Sequence, residues 1–382
     1  MDDVMLARSL FGTTMAFHII FATLGVGLPL MILVAEVLYQ WKKDRDYALM
    51  AKRWTKAVAV LLGVAIPSGT IAGTQLSLLW PGFMKVVGQV ISLPFQIEIF
   101  AFFLEALFMS IYVYAYDRLS SSMRILSVFL VAVGAAASAI LITNVHSFEE
   151  TPTGFHLVGG EAVNVDPWKA FFNPAFGVTA FHVTVSAFTT GGFVIASIAA
   201  WKLLRKKGEP TERAFHLKAL MMGLVIGGIF SLTTAINGHE AMQDVYHYQP
   251  EKLAAAEGLF ETQSHAPLAI GGFTSEETRS VKGAIEIPGL LSFLSGNSFD
   301  TVVRGLNEFP RDEWPPLFIH TMFNLMVGGG SLLILLALLG FVWRRFLKKE
   351  FPRWMILAFL ITGPLAMASI ESGWIFACSG RQ

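Results

Sequence analysis

The chain has a single cysteine, Cys378, and little charge, and each shortage excludes a class of protein. One cysteine cannot form an intrachain disulfide framework or a Cys-x-x-Cys zinc or redox site. Charged residues make up 15% of the sequence, whereas soluble domains carry about 25%. The 28 basic and 28 acidic residues cancel, so net charge gives no support for binding to nucleic acid.

Hydrophobic residues are abundant instead, at 54% of the chain with 32 phenylalanines. A helix needs roughly 20 apolar residues to cross the hydrocarbon core of a bilayer. The first apolar stretch continues past Ala22 to Tyr39 with no small-residue cleavage site, which is typical of a retained span rather than a signal peptide. The sequence predicts an all-α integral membrane protein with eight spans, at residues 10–38, 54–79, 92–116, 122–145, 173–203, 215–236, 316–343 and 353–377.

Basic residues concentrate in alternate connections between the predicted spans. Residues 41–54, 202–218 and 343–354 are rich in Lys and Arg, whereas 80–92 and 146–172 hold one Lys each. Connections rich in Lys and Arg stay on the cytoplasmic side of a membrane. We therefore predict that the N-terminus and the connections after spans two, four and six lie outside.

One long interruption, residues 237–315, follows the sixth span and is predicted on the outer side. Loops of this length are usually functional or disordered. The interruption divides the chain into three predicted parts: 1–236 with six membrane helices, 237–315 as an outer loop, and 316–382 with two membrane helices and the start of a following outer segment.

The first part of this loop, residues 249–262, predicts a short capped helix. Pro250 suits the first turn of a helix, and Gly258 can end one. Lys252 and Glu257 would then face a ligand near the membrane surface, although the same residues also suit a solvated helix face.

Three side chains inside the predicted spans can ligate iron. At 1.5 Å per residue, His18 lies about 12–16 Å below the outer surface, His182 about 14 Å and Met326 about 15 Å. Ionisable groups inside a membrane are costly and mark functional sites. Because imidazole and thioether form the axial ligand pair of a low-spin haem, these residues predict haem binding in the outer half of the membrane.

Carboxylates and an aromatic side chain accompany these residues. Glu98 lies about 9 Å deep, and Glu105 follows one heptad later on nearly the same helix face. Glu371 and Trp374 also reach the outer third. The spans that carry Glu98 and Glu105 offer few basic partners, so we predict that these two handle protons. We interpret His320, in the seventh span, as a packing residue or a supporting partner.

Six groups of residues occur in a fixed order along the chain. The groups are Arg8-Ser9-Leu10-Phe11 with His18-Ile19-Ile20-Phe21, Glu98 to Glu105 around Phe102-Phe103-Leu104, Phe181-His182, residues 249–262, Phe323-Asn324-Leu325-Met326-Val327-Gly328, and Glu371-Ser372-Gly373-Trp374 with Gly380-Arg381-Gln382. Together they resemble the large subunit of the cytochrome bd family, the bacterial quinol oxidases. The resemblance covers essentially the whole sequence, and the Gln-Pro-x-Lys-Leu-Ala-Ala-x-Glu-Gly string is its most specific part.

The resemblance implies the haem ligands position by position. His182 and Met326 match the axial ligands of a low-spin haem b that receives electrons from quinol. His18 matches the ligand of one haem in a two-haem oxygen site. That site holds a high-spin haem b together with haem d or a second haem b.

The resemblance also implies roles outside the iron ligands. Lys252 and Glu257 match residues implicated in quinol oxidation on a short outer loop. Glu98 and Glu105 match carboxylates of the proton route and the oxygen site. Trp374 matches an aromatic residue placed between haems.

Three departures from the family pattern concern the oxygen site and the quinol preference. The family's glutamate ligand of the other high-spin haem is replaced by Cys378, which is either a thiolate ligand or an inert small hydrophobe. The usual arginine two residues before the ligand methionine is Asn324, and the second-span motif differs at residues 73–80. Family members have nine spans in this subunit, so the sequence is expected to be incomplete at its C-terminus.

The expected function is that of the haem-containing subunit of a respiratory oxidase in the bacterial plasma membrane. It would pair with a second membrane subunit, oxidise ubiquinol or menaquinol at the outer face, and reduce oxygen to water with protons from the cytoplasm. One alternative is a related haem electron-transfer subunit with an altered or lost oxygen site, motivated by Cys378 and Asn324. Another is a proton-coupled transporter that uses Glu98, Glu105 and His18.

Overall fold

The computed structural model of the chain describes residues 3–205, 210–347 and 349–380. Eight helices in these ranges are long and apolar enough to cross a membrane, which confirms the predicted number of spans. The residues used in the sequence analysis that lie outside the described ranges are Lys206, Lys207, Lys348, Arg381 and Gln382.

Thirteen α-helices are present in the described part of the chain. Seven of the eight spans extend the predicted ones at one or both ends, whereas the third ends at Ala115, one residue before its predicted end. The seventh span is α11 with the π-helical turn Trp343–Leu347, and the eighth is α12 followed by α13. The helices are α1 (Asp3–Lys42), α2 (Arg45–Leu79), α3 (Pro81–Val87), α4 (Ser92–Ala115), α5 (Ser121–Glu150), α6 (Pro167–Phe171), α7 (Phe176–Arg205), α8 (Pro210–Tyr248), α9 (Pro250–Glu257), α10 (Leu290–Gly296), α11 (Ile319–Val342), α12 (Arg353–Leu360) and α13 (Thr362–Ser379).

Helix α8 differs most from its predicted span, because it continues for twelve residues past residue 236 to Tyr248. Polar residues end the apolar run in the sequence there. Met242 and Val245 nevertheless pack into hydrophobic clusters beyond the span, so the helix has an apolar face to bury. Pro250 then ends it, since the residue before a proline disfavours the helical conformation.

The predicted short helix after α8 is confirmed as α9, Pro250–Glu257. Gly258 ends the helix in the left-handed conformation, with φ 67°, which glycine adopts without steric cost. Short antiparallel strands follow α9 and also connect α5 to α6. They are β1 (His156–Val158) with β2 (Glu161–Val163), β3 (Leu268–Ile270) with β6 (Ile285–Ile287), and β4 (Phe273–Ser275) with β5 (Ser280–Lys282).

The chain forms two compact units. The first comprises Met1–Phe230 and Leu336–Pro364, and the second comprises Ser231–Leu335 and Leu365–Gln382. The predicted division at residues 236 and 316 stays a prediction.

Within the first unit, α1 and α7 touch backbone to backbone at Gly27 and Gly191. A Cβ atom on Gly27 would lie 3.0 Å from the Gly191 Cα atom, and one on Gly191 would lie 2.9 Å from the Gly27 Cα atom. Small residues permit this approach between membrane helices. His18 and His182 each precede their glycine by nine residues, about 14 Å of helix. Since the first and fifth spans run in the same direction, both histidines lie at one level along these two helices, and their depth in the membrane stays a prediction.

Candidate functional site

His18 on α1 is held by α2. Its Nδ1 atom lies 2.9 Å from the Ser68 hydroxyl oxygen, and that hydroxyl lies 2.8 Å from the Val64 carbonyl oxygen. Because the single hydroxyl hydrogen is directed to the carbonyl, Ser68 accepts from Nδ1–H, and the Nε2 lone pair is left for a ligand. A Cβ atom on Gly69 would lie 3.0 Å from the ring carbon Cε1, so glycine leaves the ring its space.

The two carboxylates of α4 lie against α5. Glu98 Oε1 accepts a hydrogen bond of 2.9 Å from the Ser138 hydroxyl. Glu105 is buried, and its Oε1 atom has no hydrogen-bond partner among the described residues. A Cβ atom on Gly134 of α5 would lie 2.9 Å from the Glu105 backbone nitrogen, so the α5 backbone lies very close to the α4 backbone at this point. Glu98, which is half-buried, and Glu105, which is buried, therefore form a pair of carboxyl groups along one helix face.

His182 also belongs to the first unit. It is half-buried on α7, next to the exposed ring of Phe181. The structure places His182 in the same unit as His18, whereas Met326 belongs to the second unit.

Met326 on α11 points its thioether at α13. A Cβ atom on Gly373 would lie 2.8 Å from the Met326 sulfur, so only glycine gives the sulfur this space. Trp374 follows Gly373 directly and is half-buried. Glu371, one turn before Trp374, has a buried Oε1 atom with no hydrogen-bond partner in the described part of the chain.

Met326 also packs on a hydrophobic cluster that surrounds α9, which we call the α9 cluster. Met242, Met322 and Phe323 pack against it as well. Its buried members are Ala254, Ala255, Ala256, Phe260, Leu306, Trp314, Ile319 and Phe376. The predicted quinol segment and the predicted haem ligand Met326 therefore share one core.

Lys252 and Glu257 on α9 are buried, with 1% and 5% of their surface exposed. This excludes a solvated helix face, and the cause is that the alanines between them are fully buried too. Glu257 Oε2 has no hydrogen-bond partner within the described ranges. Burial raises the pKa of Glu257 to about 8. A carboxyl group with this pKa can both take up and release a proton near neutral pH.

The Lys252 side chain packs against the end of α13. Its Nζ atom donates a hydrogen bond of 3.3 Å to Gln249 Oε1 and lies 5.2 Å from the centroid of the Phe376 ring. A Cβ atom on Gly380 would lie 3.0 Å from Lys252 Cγ. A lysine so enclosed presents its ammonium group at a fixed place, which suits a binding site for an oxygen anion.

His320 has a larger role than the sequence indicated, although its interpretation as a packing partner is confirmed. The ring is fully buried, with Nδ1 2.7 Å from the Ala256 carbonyl oxygen and Nε2 3.0 Å from the Gly271 carbonyl oxygen. Asn324 accepts a 2.7 Å hydrogen bond from the Gly271 backbone nitrogen. His320 and Asn324 thus fasten α9 and the β3–β4 turn to α11. In the sequence, the feature that indicated this joint role was the spacing of four residues, which places His320 and Asn324 on the same face of a helix.

Cys378 lies near the end of α13 and is exposed. Among the described residues there is no group of three or more His, Cys, Asp or Glu side chains that could hold a metal ion. A haem needs only one or two protein ligands for its iron, and isolated imidazole, thioether and thiolate donors are the ligands that haem proteins use.

The model of the family described as cytochrome bd terminal oxidase subunit I matches residues 6–382. The chain belongs to this family. Cytochrome bd oxidases are haem-containing terminal oxidases of bacterial respiration, and their subunit I works with a second subunit. The membership and the eight apolar helices identify a multi-pass protein of the bacterial plasma membrane, which favours the oxidase over the transporter alternative.

Curated relatives and a solved structure agree with the assignment. The chain is 69% identical to a Bacillus subtilis (strain 168) protein provisionally named cytochrome bd menaquinol oxidase subunit I, over 100% of this chain and 86% of the relative. It is 33% identical to cytochrome bd ubiquinol oxidase subunit 1 of the same organism, over 100% and 83%. The bd oxidase structure from Geobacillus thermodenitrificans matches with a TM-score of 0.94 and 45% identity, over 100% of this chain and 88% of that one.

Proposed function

We propose that this chain oxidises quinol at α9, on the outer face of the membrane, and supports reduction of oxygen to water with protons from the cytoplasmic side. The observation that carries the proposal is that Lys252 and Glu257 are buried on a helix that shares its hydrophobic cluster with Met326. The 69% identity to a relative provisionally named a menaquinol oxidase favours menaquinol as the substrate.

The residues present fit the ligation of haem. His18 keeps Nε2 for iron through its hydrogen bond to Ser68, and Met326 has a clear space at Gly373. By resemblance, His182 and Met326 would hold the low-spin haem b, and His18 would hold a haem of the oxygen site. Bound haems supply electron transfer and the reduction of oxygen, while the chain supplies ligands, spacing and charge.

At α9 the residues have separate tasks during quinol oxidation, in which the quinol would release two protons to the outer side and pass two electrons, one at a time, to the bound low-spin haem. The Glu257 carboxylate accepts a proton from a quinol hydroxyl group. The Lys252 ammonium group, fixed by Gln249 and Phe376, orients the quinol oxygen and stabilises the negative charge that deprotonation leaves on it.

Glu98 and Glu105 hold protons on the way to the oxygen site. Ser138 fixes the Glu98 carboxylate by its hydrogen bond, and Glu105 has one oxygen free to exchange a proton. Trp374, next to the glycine that faces Met326, is the aromatic residue placed between redox groups.

Ser68→Ala is expected to weaken haem retention at His18. Loss of such a supporting partner typically costs 10–100-fold in metal affinity, because the ring loses its preferred tautomer and orientation. The measurement is haem content per protein and the ligand-reactive part of the optical spectrum. Ser77→Ala, an exposed serine on the same helix, is the control and should leave both unchanged. Equal haem loss in both variants would show that Ser68 does not orient the ligand.

The proposed function is tested on the complex purified with its second subunit. We expect a reduced-minus-oxidised spectrum with low-spin and high-spin haem signals, together with quinol-dependent oxygen consumption. A colourless complex, or one that does not consume oxygen with quinol, would refute the proposal.

A second candidate, an electron-transfer subunit without oxygen reduction, is favoured by one observation. Cys378 stands where the family has a glutamate ligand, and its side chain is exposed. Carbon monoxide separates the two functions because it binds only iron with an open position. An oxidase gives a shifted spectrum with carbon monoxide, whereas a pure electron-transfer subunit does not.

A further inference from the structure

A carboxylate outside the sites already described is buried on α1. Glu36 has 0% of its surface exposed, and its Oε1 atom accepts a 2.5 Å hydrogen bond from the Tyr112 hydroxyl of α4. The second oxygen, Oε2, is also buried and has no hydrogen-bond partner in the described part of the chain. Burying an ionisable group inside a membrane costs free energy. A buried carboxylate with a hydrogen bond to only one of its two oxygens therefore indicates a functional role.

The charged and titratable groups around Glu36 come from all four helices that meet there. Tyr39 lies one turn further along α1, and Tyr116, the residue that follows α4, lies one turn beyond Tyr112. The Arg124 guanidinium of α5 lies 4.8 Å from the Tyr116 ring and 5.9 Å from the Tyr39 ring. Lys52 of α2 lies 5.6 Å from the Tyr116 ring and is exposed. These groups connect Glu36 to the basic end of the bundle.

Arg124 and Lys52 both lie over aromatic rings, and Glu36 has no ion pair among the described residues. A structural ion pair would satisfy both carboxylate oxygens. The arrangement found here instead keeps one oxygen available for a proton.

Further polar side chains lie along α4 between Tyr112 and the start of the helix. Glu98, Glu105, Tyr112 and Tyr116 recur at intervals of seven, seven and four residues, which places them along one helix face. Each seven-residue step is about 10 Å of helix, a distance that one to three water molecules bridge. The face therefore runs from the basic end of the bundle to the carboxylate pair Glu105 and Glu98.

We propose that Glu36 and Tyr112 form a proton-loading site that takes protons from the basic end of the bundle and passes them towards Glu105. The Glu36 carboxylate gains one proton, forming an O–H bond, and this bond breaks when the proton moves on. Tyr112 holds the carboxylate in place through its hydroxyl hydrogen bond. No electron moves in either step. This inference rests on the proposed function, since it concerns the protons used in oxygen reduction.

The test compares Glu36→Gln and Tyr112→Phe in the oxidase purified with its second subunit. We expect kcat for quinol-dependent oxygen consumption to fall about 10–100-fold in Glu36→Gln, and less in Tyr112→Phe, because a proton relay is interrupted. The quinol KM, the haem content and the rate of anaerobic haem reduction by quinol should not change, since these do not depend on proton uptake. Glu36→Asp, which keeps a carboxylate, should recover part of the rate.

Tyr114→Phe is the matched control, because Tyr114 lies on the same helix with 88% of its surface exposed. It should behave as wild type. Wild-type turnover in both Glu36→Gln and Tyr112→Phe would overturn the proposal. An equal loss of anaerobic haem reduction and of turnover would also overturn it, because the pair would then be structural. If wild type itself consumes no oxygen with quinol, the proposed function fails instead, and this inference fails with it.

Discussion

Met326→Leu is expected to remove the low-spin haem signal and to lower quinol-dependent oxygen consumption by about 100-fold or more, because leucine offers no ligand atom to iron. The exchange of methionine for leucine conserves volume and usually costs less than about 1.5 kcal/mol of stability. The fold should therefore persist. The measurement is a reduced-minus-oxidised spectrum of the purified complex together with its oxygen consumption.

Met322→Leu provides a matched control within one turn of α11. Both methionines are half-buried and pack against the α9 cluster, but only Met326 faces Gly373. Met322→Leu should keep the low-spin signal and most of the activity. Retention of the signal in Met326→Leu would refute the assignment of Met326 as a ligand, whatever its effect on turnover.

Glu257→Gln is expected to lower kcat for quinol oxidation by about 10²–10⁴-fold, the usual effect of losing a general base. Glu257 accepts a proton only as a carboxylate. Because burial raises its pKa to about 8, the wild-type rate should increase as the pH rises from 6 towards about 8 and then level off. The glutamine variant should show no such increase. The measurement is the pH profile of kcat/KM with a soluble quinol.

The Glu257 carboxyl group should also affect the stability of the fold. Its pKa in the folded protein, about 8, lies above the ordinary value of 4.5, so the folded state holds a proton that the unfolded state has released between these pH values. The free energy of unfolding therefore falls as the pH rises through this window. Glu257→Gln should remove this dependence and unfold at a higher temperature than wild type above pH 8.

Glu251→Gln is the control for both measurements, because it alters a less buried glutamate in the first turn of the same helix. It should keep the wild-type rate and pH profile. A pH profile in Glu257→Gln that matches wild type would exclude Glu257 as the base, even if the rate is lower.

The sequence predicted the parts of this fold that depend on local patterns. Apolar length was enough for the eight spans, and Pro250 with Gly258 was enough for α9. The extension of α8 to Tyr248 was not predictable, because Met242 and Val245 gain their packing partners only when the segment after α8 folds.

In the candidate site, too, the features that depend on local sequence were predictable and those that depend on tertiary contacts were not. The ligand types at His18, His182 and Met326 and their motifs were visible in the chain. The burial of Lys252 and the hydrogen bonds of His320 were not, because both depend on contacts made by residues distant in sequence. The burial of Glu36 was not predictable for a similar reason. It stands near the end of its predicted span, where a charged residue is ordinary, and only the contact with Tyr112 marks it as unusual.

The contact between Gly27 and Gly191 sets the distance between the two helices that carry the proposed haem ligands His18 and His182. Each histidine lies about 14 Å along its helix from this crossing. Electron tunnelling weakens steeply with distance. Under the proposed ligation, two residues without side chains would therefore govern how fast electrons pass between the haems that His18 and His182 hold.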